Sequence, residues 1–138
     1  MTLRNTVLTA LAFALLPVSQ AVAQRLRPLL EEGSIATCAI VDLEVLYSAR
    51  NLADYEEVLE ERRSLDAAPI TPEVMAKAIE LQHELARHGH HRVPIPDLVI
   101  SAAAQAVGLT VLHYDCDFER IASAGGAAQE WVIPRGSL

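Results

Sequence analysis

An α/β fold with a mostly parallel sheet is predicted by three features of the sequence. Segments of helical period alternate with short apolar runs that read as strands, the order that βαβ units produce. Aromatic residues make up only 4% of the chain, so the core is built from aliphatic side chains of the kind that pack between helices and a sheet. A length of 138 residues with 51% apolar and 21% charged content fits one globular domain and excludes a disordered chain. The 11 basic and 18 acidic residues leave a net charge of −7, which gives no support to nucleic-acid binding through bulk charge and suits divalent cations. Cys38 and Cys116 are too few for a scaffold held by several disulfides.

The elements follow in order. Residues 1–23 carry Arg4, an apolar stretch from Thr6 to Leu16 and the small residues Ala21 and Ala23 around Val22. That pattern matches a secretory signal, its Ala and Leu content favours helix over strand, and its apolar stretch is too short to span a bilayer. Val22, Leu26, Leu29 and Leu30 fall near helical spacing, and Gly33 stops that helix. Ser34 to Val41 reads as an apolar link, after which Leu43, Leu46 and Tyr47 make an apolar stripe that places Glu44 near the start of a helix. Asn51 to Ala67, with Glu56, Glu57, Glu60, Glu61, Arg62 and Arg63, reads as a solvated helix. Ala68 to Ile70 is a connection.

Thr71, Pro72 and Glu73 supply a side-chain cap, a proline suited to the first helical position and an early acid. The helix that starts there buries Val74, Ala78, Leu81 and Leu85 and ends at Gly89. His88 to Pro96 reads as a loop, because two prolines and a glycine defeat both helix and central strand. Asp97 then opens an apolar helix from Leu98 to Val107, closed by Gly108. Thr110 to Tyr114 reads as a buried strand with Asp115 and Asp117 at its C-terminal end. Phe118 to Ser123 is a short helix, Gly125-Gly126 a turn, and Glu130 to Ile133 an edge strand.

Four acids at three places in the chain stand in apolar surroundings that do not call for a carboxylate. Glu44 lies among Leu43, Val45 and Leu46, Asp97 lies between Pro96 and Leu98, and Asp115 and Asp117 end a buried strand. Ligands of doubly wound sheets collect beyond the carboxyl ends of the strands. Carboxylates gathered there repel one another, and a bound Mg²⁺ or Mn²⁺ relieves the repulsion. Such an ion activates a water and stabilises charge on a phosphodiester. Each acid also has a local role open to it: Asp97, Asp115 and Asp117 as helix caps, Glu44 as an exposed helix residue. Asp42, two residues from Glu44, points to nearly the opposite helix face. His83, His88, His90 and His91 match no standard zinc spacing, while His91 and Arg92 lie on the loop beside Asp97, where a phosphate backbone would be met. His113 reads as a core histidine, and no nucleophile triad, CxxC or glycine-rich phosphate loop is present.

Read together, Val41-Asp-Leu-Glu44, the segment from Ile95-Pro-Asp97 through Ala104, and the segment from Leu112-His-Tyr-Asp115-Cys-Asp117 through Ala122 resemble a PIN-domain ribonuclease of the VapC toxin type. The resemblance covers roughly Val22 to Ile133 and divides the chain into an atypical N-terminal segment, residues 1–21, and a PIN domain, residues 22–138. It implies a PIN-like α/β/α sandwich and the toxin component of a type II toxin–antitoxin system. The implied activity is a Mg²⁺-dependent endoribonuclease, Mn²⁺ also serving, that cleaves RNA with a metal-activated water. Glu44, Asp97, Asp115 and Asp117 are the implied catalytic residues, the first three the metal ligands. On a chain of net charge −7, contacts to RNA come from local basic patches such as Arg92, Arg120 and the Arg25/Arg27 pair. A VapB-type antitoxin, homodimerisation, no membrane contact and a cytoplasmic location also follow from the resemblance. The family opens on a strand ending in an aspartate, yet residues 1–20 contain no acid, which predicts a first strand missing or replaced, as by a frame change near the start. The alternative function is a degenerate PIN domain, weakly active or inactive, that still binds its antitoxin.

Overall fold

The computed structural model describes residues 7–9 and 19–138. Its elements in chain order are β1 (Val7–Thr9), α1 (Gln20–Glu31), β2 (Ile35–Cys38), α2 (Ala39–Tyr47), α3 (Leu52–Arg63), β3 (Asp66–Ala68), α4 (Pro72–Arg87), α5 (Ile95–Ala106), β4 (Thr110–His113), α6 (Asp117–Ser123) and β5 (Gln129–Trp131). The strands form one five-stranded sheet in the order β3-β2-β1-β4-β5, and every neighbouring pair is parallel. Because β1 has β2 on one side and β4 on the other, the direction of winding reverses between β1 and β4, the crevice at which doubly wound sheets bind ligands.

Alternate strand residues sort the core into two layers. Ile35 and Leu112 face α1 and pack with Val22, Leu26 and Val132. Their neighbours Ala36, Cys38 and Val111 face the other way, into a larger cluster with Val41 of α2, Leu81 and Leu85 of α4, Ile100 and Ala103 of α5, and Phe118 and Ile121 of α6. The result is the α/β/α sandwich that a parallel sheet covered on both faces requires. Thr71 caps α4 as anticipated, accepting from the Val74 N–H at 3.1 Å, and Val74, Ala78, Leu81 and Leu85 are all buried. A Cβ at Gly126 would stand 2.6 Å from Ile121 Cγ2 and 2.7 Å from Ser101 Oγ. That close approach tucks the end of α6 against α5.

Five local expectations are corrected. Val7–Thr9, in a segment whose composition favours helix, forms the central strand, in register with Ile35–Ala36 and Thr110–Leu112. The open ladders of β2 and β4 supply partners for both edges, and that tertiary pairing overrides helical propensity. The rest of the apolar stretch Thr6 to Leu16 lies outside the described residues. Residues 34–41 hold β2 and the start of α2 rather than a link, because a buried strand with all four residues covered shows no alternation to read. Ala68 closes β3 instead of opening a connection. Ile95 and Pro96 belong to α5, where proline fits the first turn. The stripe on α2 is built from Val41 and Leu46, while Leu43 and Tyr47 are 62% and 92% exposed. No helix among the described residues is long and apolar enough to cross a membrane.

Candidate active site

Three elements deliver carboxylates to the C-terminal edge of the sheet. Helix α2 follows β2 and carries Glu44. Helix α5 is preceded at its N-cap by Pro94, which has no polar side-chain atom to cap with, and Asp97 sits in its first turn. The Asp97 N–H donates to the Pro94 carbonyl at 3.1 Å, and its side chain, in a residue only 6% exposed, accepts no hydrogen bond among the described residues. Capping is therefore not what this carboxyl does. Strand β4 ends at His113, and Asp115 and Asp117 follow immediately.

The turn after β4 is braced by a chain of hydrogen bonds. Buried His113 meets Gln129 Oε1 through Nε2 at 2.6 Å and accepts the Asp115 N–H on Nδ1 at 3.0 Å. The imidazole is thus the neutral Nε2–H tautomer, and burial holds its pKa below the ordinary value. Phe118 and Trp131 stack on it at ring separations of 4.9 and 5.0 Å. Asp115 Oδ1 accepts the Asp117 N–H at 2.9 Å, and Arg120 Nη1 donates to Asp117 Oδ1 at 3.3 Å. One carboxylate oxygen each of Asp115 and Asp117 and the Cys116 Sγ lie within 4.8 Å of one another.

The four acids act on each other electrostatically. Burial first, and then the charges of Asp115, Asp117 and Glu44, push the Asp97 pKa up to about 7. Burial alone raises Glu44. Asp117 is raised by burial and by Asp115, against the lowering effect of Arg120. The Glu44 Oε2 atom is buried without a hydrogen-bond partner. A polar atom buried without a partner costs about 1–3 kcal/mol, more when charged, so this pocket lacks a positive group to complete it. Hard divalent cations take oxygen ligands of this kind; among the described residues Asp115 and Asp117 lie close enough to share one, while Glu44 and Asp97 stand outside that group, with Asp97 coupled to it through charge. Four of the four predicted acids are therefore brought to one edge: Glu44, Asp97, Asp115 and Asp117.

Arg92 and Arg120 also converge. They line a cleft of about 200 Å³ together with His90, His91 and Asp117, so the cleft borders the acids directly. His88 instead meets Glu84 at 3.3 Å, and among the described residues the histidines form no three-ligand metal group.

Two features escaped sequence reasoning. His113 read only as a core residue, and its positioning of Asp115 shows no signature beyond its place two residues ahead of that acid. The helix around Arg62 read as wholly solvated, yet Arg62 is 4% exposed. Its Nε donates to Asp42 Oδ1 at 2.8 Å and its Nη2 to Thr37 Oγ1 at 2.7 Å. A carboxylate two residues from Glu44 was the available signal, since one of two acids on opposite helix faces needs a counter-charge if that face is covered.

Comparison with known proteins places this arrangement. The profile of the PIN domain matches residues 9–124. Ribonuclease VapC18 of Mycobacterium tuberculosis is 42% identical over 120 residues, covering 85% of this chain and 88% of that protein. Ribonuclease VapC21 of the same species is 44% identical over 119 residues, covering 85% and 86%. Among solved structures, VapBC2 from Rickettsia felis bound to a promoter DNA fragment superposes with a TM-score of 0.72 at 20% identity, over 91% of this chain and 98% of that one. VapBC-5 from Mycobacterium tuberculosis gives a TM-score of 0.64 at 22% identity, over 92% and 97%.

Proposed function

This chain belongs to the PIN-domain family, and from that membership we propose that it is the toxin of a type II toxin–antitoxin pair, a Mg²⁺-dependent endoribonuclease. The single observation that carries the reading is the uncompensated carboxyl of Asp97, buried among Glu44, Asp115 and Asp117. The relatives of 42% and 44% identity are named ribonucleases, and the structural neighbours are toxin–antitoxin complexes.

Asp97, Asp115 and Glu44 are the ligands we assign to Mg²⁺, with Mn²⁺ as a substitute, and Asp117 either joins them or orients water. A divalent cation held by these oxygens supplies Lewis acidity toward the phosphodiester and makes water nucleophilic at neutral pH. The protein's own part is positioning. His113 fixes the Asp115 backbone, Asp115 fixes that of Asp117, and Arg120 restrains the Asp117 carboxylate. Misplacement of a reacting group by 1 Å costs on the order of a hundredfold in rate, which is the reason for so stiff a turn.

A VapB-type antitoxin is the partner we assign, with an arginine of that partner entering the acids in place of the cation. The exposed Leu43, Tyr47 and Leu52 at the α2–α3 corner offer protein partners apolar area, including a second copy in a homodimer. The place of action is the cytoplasm, where the RNA substrate lies. Residues 1–21 remain an atypical segment ahead of the domain at 22–138, although Val7–Thr9 joins its sheet.

Cleavage of RNA by the full chain in Mg²⁺ or Mn²⁺, set beside the EDTA control and Asp97→Asn, tests the proposal. The expected result is metal-dependent cleavage that falls at least about a hundredfold in Asp97→Asn. Equal cleavage by Asp97→Asn removes the site assignment. The absence of any acid from residues 1–20 favours a second reading, a PIN domain that only binds its antitoxin. Antitoxin binding without cleavage in either metal would establish that one.

A further inference from the structure

We infer that the 89–93 loop and Arg120 form a phosphate-binding subsite that holds a single-stranded RNA beside the acids; the inference rests on the ribonuclease reading above. A polyanionic substrate has to reach acids on a chain of net charge −7, and local cations are what make that approach favourable. The cleft lined by His90, His91, Arg92, Asp117 and Arg120 supplies them next to the site, because Asp117 belongs to both.

Most of the other described cations of the fold are engaged, and the exposed Arg27 and Arg63, which have no ion-pair partner among the described residues, do not line this cleft. Arg25 meets Glu130, Arg50 meets Asp54, Arg62 meets Asp42, Lys77 meets Glu80, Arg87 meets Glu84 and Arg135 meets Glu119. Arg92 has no such partner among the described residues, so its guanidinium fork is free for a bidentate phosphate contact. Arg120 touches Asp117 at 3.3 Å with half its side chain exposed, which leaves further N–H groups for a second contact.

The loop that presents these groups is pinned at both ends. Gly89, at φ +79°, reverses the chain after α4, in a conformation that side chains with a Cβ rarely adopt. The His90 N–H then returns to the Leu85 carbonyl at 2.8 Å. At the far end Val93 is buried in the main core. His90, His91 and Arg92 are therefore carried, exposed, between two anchors, so little ordering entropy is lost when a phosphate arrives. The imidazoles add N–H donors and flat faces on which an unstacked base rests.

Fluorescence anisotropy of a short unstructured RNA oligonucleotide, titrated with the full chain in EDTA over a series of KCl concentrations, tests this without requiring cleavage. Arg92→Ala, in an exposed loop that leaves the core untouched, is expected to weaken binding several-fold at about 0.1 M salt. It is also expected to flatten the dependence of log K on log salt by about 0.7, the contribution of one single-strand phosphate. Arg92→Ala/Arg120→Ala should flatten it by about twice that, with the loss uniform across oligonucleotide sequences. Arg50→Ala, exposed at the other corner, should leave both quantities unchanged. Wild-type affinity and slope in Arg92→Ala, or no oligonucleotide binding by the unaltered chain, would overturn the subsite. If the unaltered chain cleaves RNA in Mg²⁺ while Arg92→Ala binds like wild type, the subsite alone fails. If the slopes fall as described while no metal supports cleavage, the subsite stands and the ribonuclease reading fails.

Discussion

Helix α2 carries two acids two residues apart, and the structure treats them in opposite ways. Asp42 turns toward β2 and α3, where Arg62 and Thr37 both reach its Oδ1 at 2.8 Å. Glu44 turns toward α5, where its Oε2 is buried with no partner and its charge acts on Asp97, which also feels Asp115 and Asp117. One side of the helix is a closed ion pair and the other an open one. The closed pair fixes the helix on the sheet, as a buried charge must be matched to be tolerated. The open cluster has no such counter-charge among the described residues, and it is where the proposed divalent cation would sit.

That contrast predicts opposite signs for similar substitutions. The largest effect belongs to Asp97. In the unfolded chain its carboxyl titrates near 3.8, and in the folded protein near 7, so between those values the folded state holds a proton that the unfolded state has released. Metal-free stability consequently falls as pH rises through that window and is fully restored below it. Asp97→Asn removes the penalty and should stabilise the metal-free protein at pH 8 by up to about 4 kcal/mol, with no gain at pH 3.5, measured by urea unfolding at both pH values. Asp42→Ala should do the reverse, costing about 3 kcal/mol by taking the carboxylate from buried Arg62. A loss under 1 kcal/mol in the same urea series would show that the pair does not hold α2.

Glu44→Gln is the sharper comparison, because it sits on the same helix as Asp42. Burial raises its pKa, so its stability at pH 8 should rise in EDTA, by less than that of Asp97→Asn, and fall below wild type in Mn²⁺. Thermal melts in the two buffers read both signs. The smallest effect is a reference for ordinary local structure: Thr71→Ala removes the cap of α4 and should cost about 1 kcal/mol equally in both buffers.

The same contrast marks what was legible in the sequence. The acids of the open cluster stood out because each interrupts apolar sequence, and Thr71-Pro72-Glu73 with its stripe through Leu85 placed α4 correctly. Strand β2 did not stand out, since Ile35 to Cys38 is buried on both faces and so carries no period. The composition around strand β1 favours helix, because pairing with β2 and β4 exists only in the folded sheet. Arg62 was lost among the charges of α3, because its partner Asp42 is twenty residues away in sequence and meets it only through the fold. In sequence His113 shows only a core residue, and the hydrogen bond that makes it useful to Asp115 is a matter of rotamer rather than of pattern.

The central claim is that stability is withheld at Asp97 so that a divalent cation can restore it. The measurement that tests it most directly is the shift in melting temperature on adding millimolar Mn²⁺ at pH 8 to the wild type and to Asp97→Asn. The account predicts a lower starting melting temperature and a clear rise for the wild type, against a higher start and little rise for Asp97→Asn. A wild type that melts above Asp97→Asn without metal, or equal Mn²⁺ shifts in the two proteins, would contradict it.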